Sequence, residues 1–277
     1  MSVKNFIPEI WSASVKRSFE RASVFASCIS REYAGELKNQ GDTVRVPFVS
    51  PVEVREYQRN GSVTYDLAAG STLDITVNNC LYFGIKADDL DTVQSSPNFL
   101  DAATKSGGHS LMNAVDVDCG KVLADGASIK LYETTPFPAA GGANSVIRIL
   151  SELSKTLDEA DVPRSGRWCV LPPAIANELS VELVGKTTPD TEVVSEGWIS
   201  RAMGFDLFMS NNCPKNAAGN TLILAGVREA GTLITQIEKV ESLRDTNSFA
   251  DIVRGLMLWQ AAVLLPSGIV SAAVDFG

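Results

Sequence analysis

Residues 42–86 read DTVRVPFVSPVEVREYQRNGSVTYDLAAGSTLDITVNNCLYFGIK, and the interpretation of the whole chain begins with this stretch. Apolar and polar residues alternate through most of it, which is the period of strands with one buried face. Asn60-Gly61 lies between two of these runs and is typical of a tight hairpin turn. The flanks, 52–58 and 62–68, are too polar to belong to a core. The sequence therefore predicts a long two-stranded arm, which is marginally stable alone and needs a partner to hold it.

The segment before this arm predicts an amphipathic helix over residues 7–29. Pro8 suits the first helical turn, and apolar residues recur at helical spacing, with Trp11 and Phe19 among them. Two packing partners remain open for this apolar stripe, the chain's own core and a neighbouring subunit. The first residues contain no continuous apolar run, so no signal peptide is predicted.

After the arm, residues 98–125 predict a long helix that contains the pair Gly107-Gly108. Each glycine lowers helix stability by about 1 kcal/mol relative to alanine, so we expect a bend there. Residues 134–143, TTPFPAAGGA, predict a loop at a lobe boundary. Helical and strand patterns then alternate to the end of the chain, with helices starting at Asn144 and at Pro172-Pro173. Strands are predicted at 168–171, 205–209, 221–224, 233–237 and within 252–271.

Composition and charge restrict the class of protein. The chain has 277 residues, enough for one large domain or two lobes with a shared core. Its formal net charge of −9 argues against a free-standing nucleic-acid binder but allows a wall around DNA. The longest apolar stretch, 256–265, is too short to cross a membrane, so no membrane partner is predicted. Five cysteines without a CxxC pair predict reduced thiols rather than a zinc or redox site.

The sequence predicts no catalytic, cofactor-binding or metal site. His109 is the only histidine, and no nucleophile-elbow, zinc-protease or phosphate-loop motif is present. Asp116 and Asp118 resemble the opening of a calcium loop, but Gly120 and Ala127 occupy two positions that need oxygen ligands.

Asp88, Asp89 and Asp91 are interpreted mainly as a solvated acidic face. The alternative is a salt-bridged contact between subunits, in which the arm residues Arg55 and Arg59 would match the acidic patch.

The order of these elements resembles the major capsid proteins of tailed double-stranded DNA bacteriophages, and the resemblance covers essentially the whole chain. Local stretches that carry it are moderately specific, and their occurrence in the same order is the stronger sign. They are FIPEIWSASV (6–15), YAGELKNQGDTVRVP (33–47), VPRSGRWCVLPPAIANEL (162–179), GFDLFMSNNCP (204–214) and LILAGVREAG (222–231).

This resemblance implies an α+β fold with the parts of that family. They are an N-terminal arm (1–42), an extended hairpin loop with its base (43–96), a peripheral domain with a long spine helix (97–143), an α/β axial domain (144–230), and strands that return to the peripheral domain (231–277). In such a protein the hairpin lies over an adjacent subunit. Contacts between subunits are therefore expected at the hairpin residues Arg55, Tyr57, Arg59 and Tyr65. Trp11 and Phe19 of the N-terminal arm are expected as further contacts.

The implied function is assembly of an icosahedral head, made and assembled in the host bacterial cytoplasm. The chain would pair with itself as pentamers and hexamers, meet portal and decoration proteins, and enclose double-stranded DNA without sequence-specific binding. Because only about 40 residues precede the hairpin, a separate scaffolding protein is expected. The alternatives are an encapsulin-type nanocompartment shell, another phage structural component and a soluble α/β enzyme.

Overall fold

The computed structural model describes residues 23–32, 41–49, 70–88, 99–132, 137–138, 146–184, 198–246 and 248–275. These residues form helices together with mixed parallel and antiparallel sheets, so the predicted α+β class is confirmed. The helices are α1 (Phe25–Cys28), α2 (Phe99–Gly126), α3 (Val146–Glu159) and α4 (Pro173–Val184). The strands are β1 (Thr43–Val49), β2 (Gly70–Thr76), β3 (Asn79–Asp88), β4 (Ile129–Leu131), β5 (Phe137–Pro138), β6 (Arg167–Leu171), β7 (Trp198–Ala202), β8 (Phe205–Met209), β9 (Thr221–Val227), β10 (Gly231–Arg244), β11 (Ala250–Val263) and β12 (Ile269–Asp275).

Helix α2 matches the long helix predicted at 98–125. Its fully buried residues Met112, Val115, Cys119 and Leu123 follow one another at intervals of three or four positions. This spacing places them on one face of the helix, and that face forms the centre of the main core.

A long antiparallel sheet, in the order β10-β11-β3, packs on α2. Along β3 the residues alternate, so that Leu81 and Phe83 are half-buried against the core while Tyr82 and Gly84 are exposed. This is the period of two that the sequence shows, and it gives the sheet one covered face and one outer face.

The ring of Phe83 lies between two glycines, one on the helix and one on the neighbouring strand. Gly255 is its register partner on β11, and a Cβ atom at that position would overlap Phe83 Cε1. A Cβ atom at Gly107 of α2 would lie 2.9 Å from Phe83 Cδ2. The helix continues unbroken through Gly107-Gly108. Gly107 therefore has a packing role that the sequence alone did not indicate, while the bend stays a prediction.

We expect Gly255→Ala to lower the free energy of unfolding by about 1–3 kcal/mol, because the new methyl group would overlap the Phe83 ring and force the ring or the strand to shift. Gly84→Ala is the matched control, since no atom lies within 4 Å of a Cβ at that position. Guanidinium denaturation at an unchanged m-value measures both effects. Equal midpoints for the two variants would refute this account of the clamp.

The second sheet contains seven of the described strands, in the order β4-β12-β9-β6-β8-β7 with β5 beside β12. Strand β6 is buried on both faces. Trp168 and Val170 belong to the main core, whereas Cys169 and Leu171 belong to a second core beneath α3 and α4. This two-sided burial explains its continuous apolar run. The predicted strands at 168–171, 205–209 and 221–224 and the helix opened by Pro172-Pro173 are confirmed.

Two segments of the predicted domain division contribute to more than one sheet. Within 43–96, β1 pairs with β2 while β3 joins the sheet of β10 and β11. Within 231–277, β10 and β11 form that long sheet, whereas β12 lies inside the seven-stranded sheet. Each of these two segments therefore contributes strands to two different sheets. The domain boundaries themselves stay a prediction.

Candidate assembly surfaces

The six predicted subunit contacts, Trp11, Phe19, Arg55, Tyr57, Arg59 and Tyr65, lie outside the described residues, and so do Asp89 and Asp91. The described part of the predicted hairpin is its base, where β1 pairs antiparallel with β2 from Thr43↔Thr76 to Val49↔Gly70. The turn at Asn60-Gly61 also lies outside the description. The six contact residues therefore stay predictions. The structure adds further candidate surfaces among the residues that it describes.

The hairpin base packs on the outer face of the long sheet. Its buried residues Val44, Val46, Ile75 and Val77 form a third apolar cluster with Ile234 and Leu258. Their burial covers one end of the sheet's outer face and anchors the hairpin to the body of the chain.

The other end of that outer face is not covered by any element that the structure describes, and we call it the open face. It contains Tyr82, Leu243, Ile252, Arg254 and Leu256. Tyr82 is 79% exposed, while Ile252 and Leu256 are half-buried. The Nη2 atom of Arg254 lies 2.6 Å from Glu241 Oε2. Apolar side chains next to a paired charge give this face the mixed character of a protein contact surface.

The tip of the β10–β11 hairpin presents a second apolar feature. Phe249 is 81% exposed in the turn between the two strands. The turn is held by Asp245, which accepts hydrogen bonds from Ser248 Oγ (2.6 Å) and from Lys86 Nζ (2.5 Å). A large aromatic side chain this exposed contributes little to the core of its own chain, so Phe249 is a candidate contact residue.

A buried carboxylate, Asp116, joins three parts of the chain. Asp116 lies on α2, and its Oδ1 atom accepts a hydrogen bond from the backbone N–H of Phe25 at 2.8 Å, while its Oδ2 accepts one from Asn212 Nδ2 at 3.0 Å. Helix α1 has no side-chain cap of its own, so Asp116 satisfies the first donors of that helix. Asp118 is half-buried and pairs with Lys121 instead, so the two aspartates of the calcium-like spacing have separate partners.

Burial shifts the pKa values of the carboxyl and thiol groups in this part of the chain. It raises the pKa of Asp116, although the hydrogen bonds from Asn212 and the α1 backbone oppose the shift. Burial also raises the pKa of the Cys28 and Cys213 thiols to about 12, and those of Cys119 and Cys169 rise as well. These thiols are protonated at neutral pH. All five cysteines are free, as predicted.

A buried arginine, Arg167, holds the corner between α3 and β6. Its side chain is 1% exposed, and its Nη2 atom lies 2.8 Å from Asp158 Oδ1. Its remaining donors meet the backbone oxygens of Val162, Pro163 and Ser154. Arg164 binds the same carboxylate at 2.6 Å but is 78% exposed. Together, the two arginines hold the pKa of Asp158 below its usual value, with Arg164 the larger cause.

His109 is exposed on α2. Among the described residues, no group of three or more His, Cys, Asp or Glu side chains is arranged to hold a metal ion. No helix within the described ranges is long and apolar enough to cross a membrane.

Solved structures of phage particles and of a virus-like particle share this fold. A chain of Mycobacterium phage Che8 is 26% identical, with a TM-score of 0.71 and coverage of 90% of each chain. The capsid of cyanophage P-SCSP1u is 16% identical, with a TM-score of 0.68 and coverage of 93% of this chain and 89% of that one. A virus-like particle from Pyrococcus furiosus is 11% identical, with a TM-score of 0.56 and coverage of 96% and 99%. No family model matches the chain, and no curated protein matches its sequence.

Each of these matches covers nine-tenths or more of this chain. The chain therefore has the capsid fold. The resemblance to the major capsid proteins of tailed bacteriophages, which the sequence predicts, is confirmed.

Proposed function

We propose that this chain is the structural major capsid protein of a tailed double-stranded DNA phage and not an enzyme. It self-assembles as pentamers and hexamers into an icosahedral head around the genome, and assembly takes place in the host bacterial cytoplasm. The observation that gives this proposal most support is the structural similarity to chains of phage particles, which covers about 90% of this chain and of each matched chain. A fold alone does not fix a function, so the surfaces of the chain supply the second argument.

Assembly gives the exposed apolar features a purpose. The open face around Tyr82 lies beside the hairpin base of the same chain, so it offers an adjacent platform for the hairpin (43–96) of a neighbouring copy. Phe249 at the strand tip meets a further copy. When one surface of a subunit contacts a different surface of the next subunit, the contact is head-to-tail. Repeated head-to-tail contacts form a closed ring if the rotation from one subunit to the next brings the last subunit back to the first.

The other partners follow from the same proposal. A separate scaffolding protein guides assembly, portal and decoration proteins attach to the finished shell, and the DNA inside is held without sequence-specific contacts. The net charge of −9 suits a wall that does not bind tightly to its contents.

The hairpin contacts are tested by replacing Tyr57, Arg59 and Tyr65 together with alanine. We expect a subunit with an unchanged melting temperature that no longer forms shells, because large side chains at contact centres carry most of the association energy. The matched control replaces Ser62 and Thr64 of the same segment with alanine and should assemble normally. Sedimentation and negative-stain microscopy measure both. Normal shells from the triple variant would remove these residues from the interface.

An encapsulin-type nanocompartment shell is the second candidate function, and the match to the Pyrococcus furiosus virus-like particle favours it. The contents of particles purified from the native source distinguish the two. Packaged DNA supports the phage head, whereas a folded cargo enzyme supports the nanocompartment.

A further inference from the structure

A groove of about 710 Å³ opens between α2, the edge strand β4 and the turn that follows β8. Three lysines surround it, each on a different element: Lys121 on α2, Lys130 on β4 and Lys215 in the turn. Apolar side chains also line the groove, among them the half-buried Leu131 and Leu222, and we call these two residues its apolar floor. The groove thus combines a basic rim with an apolar base.

The turn that carries Lys215 is held in place by hydrogen bonds. The backbone N–H of Leu222 donates to Pro214 O at 2.8 Å, and that of Asn216 donates to Asn220 O at 2.9 Å. The side chain of Asn216 accepts from the backbone N–H of Asn220 at 2.9 Å. Because helix, strand and turn each fix one lysine, the rim exists before a ligand arrives, which lowers the entropy lost on binding.

The charge of the rim contrasts with the rest of the chain. Lys121 lies 3.5 Å from Asp118 in an exposed pair, and Asp125 also lines the groove. Lys130 and Lys215 have no ion-pair partner within the parts of the chain that the structure describes. An excess of positive charge therefore remains here, although the whole chain carries −9.

The apolar floor distinguishes between two anionic partners. A DNA duplex presents phosphates on a convex surface and leaves such a floor empty. A peptide with acidic and aliphatic side chains satisfies both parts, since its carboxylates meet the lysines and its aliphatic groups cover Leu131 and Leu222.

We propose that this groove docks an acidic, partly apolar peptide segment of a partner protein. The site belongs to a single folded subunit and does not depend on shell formation.

The test uses the purified full-length chain and a short fluorescein-labelled peptide built from repeated Glu-Glu-Leu units, followed by fluorescence anisotropy. A peptide with lysine in place of glutamate and a labelled DNA duplex are the comparison probes. The variant Lys130→Glu/Lys215→Glu reverses the charge of the rim. Lys105→Glu/Lys155→Glu makes the same charge change elsewhere, and Lys105 lies about 24 Å from Lys121 along the same helix.

We expect saturable binding of the acidic peptide that weakens with salt, with a Kd raised about tenfold or more in the rim variant and unchanged in the control. Three results would overturn the proposal: no saturable binding, equal binding by both variants, or tighter binding of DNA that the rim variant loses. Shell formation is measured separately on the same samples. A chain that forms shells without binding the peptide refutes this inference and leaves the proposed function intact.

Discussion

Arg167→Ala is expected to lower the free energy of unfolding by about 2–4 kcal/mol. The substitution leaves the backbone oxygens of Val162 and Pro163 without their buried donor and opens a cavity at the corner of α3 and β6. Such groups lose their hydrogen bonds without gaining water. For a chain of this size the melting temperature should fall by roughly 10 °C.

Arg164→Ala is the matched control, because Arg164 binds the same carboxylate of Asp158 from solvent. Solvent screens an exposed ion pair, so we expect only a small change in stability. Calorimetry of the two variants measures the difference. If both arginines prove equally dispensable, Arg167 does not hold this corner.

Asp116→Ala is expected to lower the free energy of unfolding by about 2–4 kcal/mol, because the first backbone donors of α1 and the amide of Asn212 lose their shared acceptor. The effect should be concentrated in the N-terminal segment 23–32. Cys28, which is buried on α1, should react faster with a thiol reagent, whereas exposed Cys80 reacts equally in both proteins and serves as the internal standard. If Cys28 reacts at the same rate in the Asp116→Ala variant as in the unsubstituted chain, Asp116 does not hold α1 in place.

Asp116→Asn is the conservative control, because an amide oxygen still accepts from the α1 backbone. The two proteins should differ in their pH dependence. The pKa of Asp116 is raised in the folded chain, so the folded state binds a proton more readily than the unfolded state. The contribution of Asp116 to the free energy of unfolding therefore increases as the pH falls from above its raised pKa in the folded chain to its ordinary pKa in the unfolded chain. The asparagine variant should lack that rise, and urea titrations across this window measure it.

Local patterns predicted most of the helices and strands that the structure describes. Helix α2 and strand β6 follow directly from the period and burial of their own residues, which require no knowledge of distant partners. The antiparallel base of the hairpin follows in the same way from the alternation around residues 43–76. Such signals lie within short windows of sequence, so they are readable without a structure.

The junctions were not predictable, because their partners lie far apart in the chain. Asp116 and Phe25 are 91 positions apart. The spacing of Asp116 and Asp118 was interpreted only as an incomplete calcium loop, and it gave no sign of a capped helix. Gly107 was interpreted through helix propensity, whereas its neighbour Phe83 lies on a separate strand. The three lysines of the groove come from three elements, and no sequence window contains them all.

The central claim is that this chain builds a shell. The most direct measurement is the size and shape of the particles formed by the purified chain, alone and with a candidate scaffolding protein, using light scattering and negative-stain microscopy. The account predicts uniform hollow shells, or rings with fivefold and sixfold symmetry. A monodisperse monomer or small dimer under both conditions would contradict it.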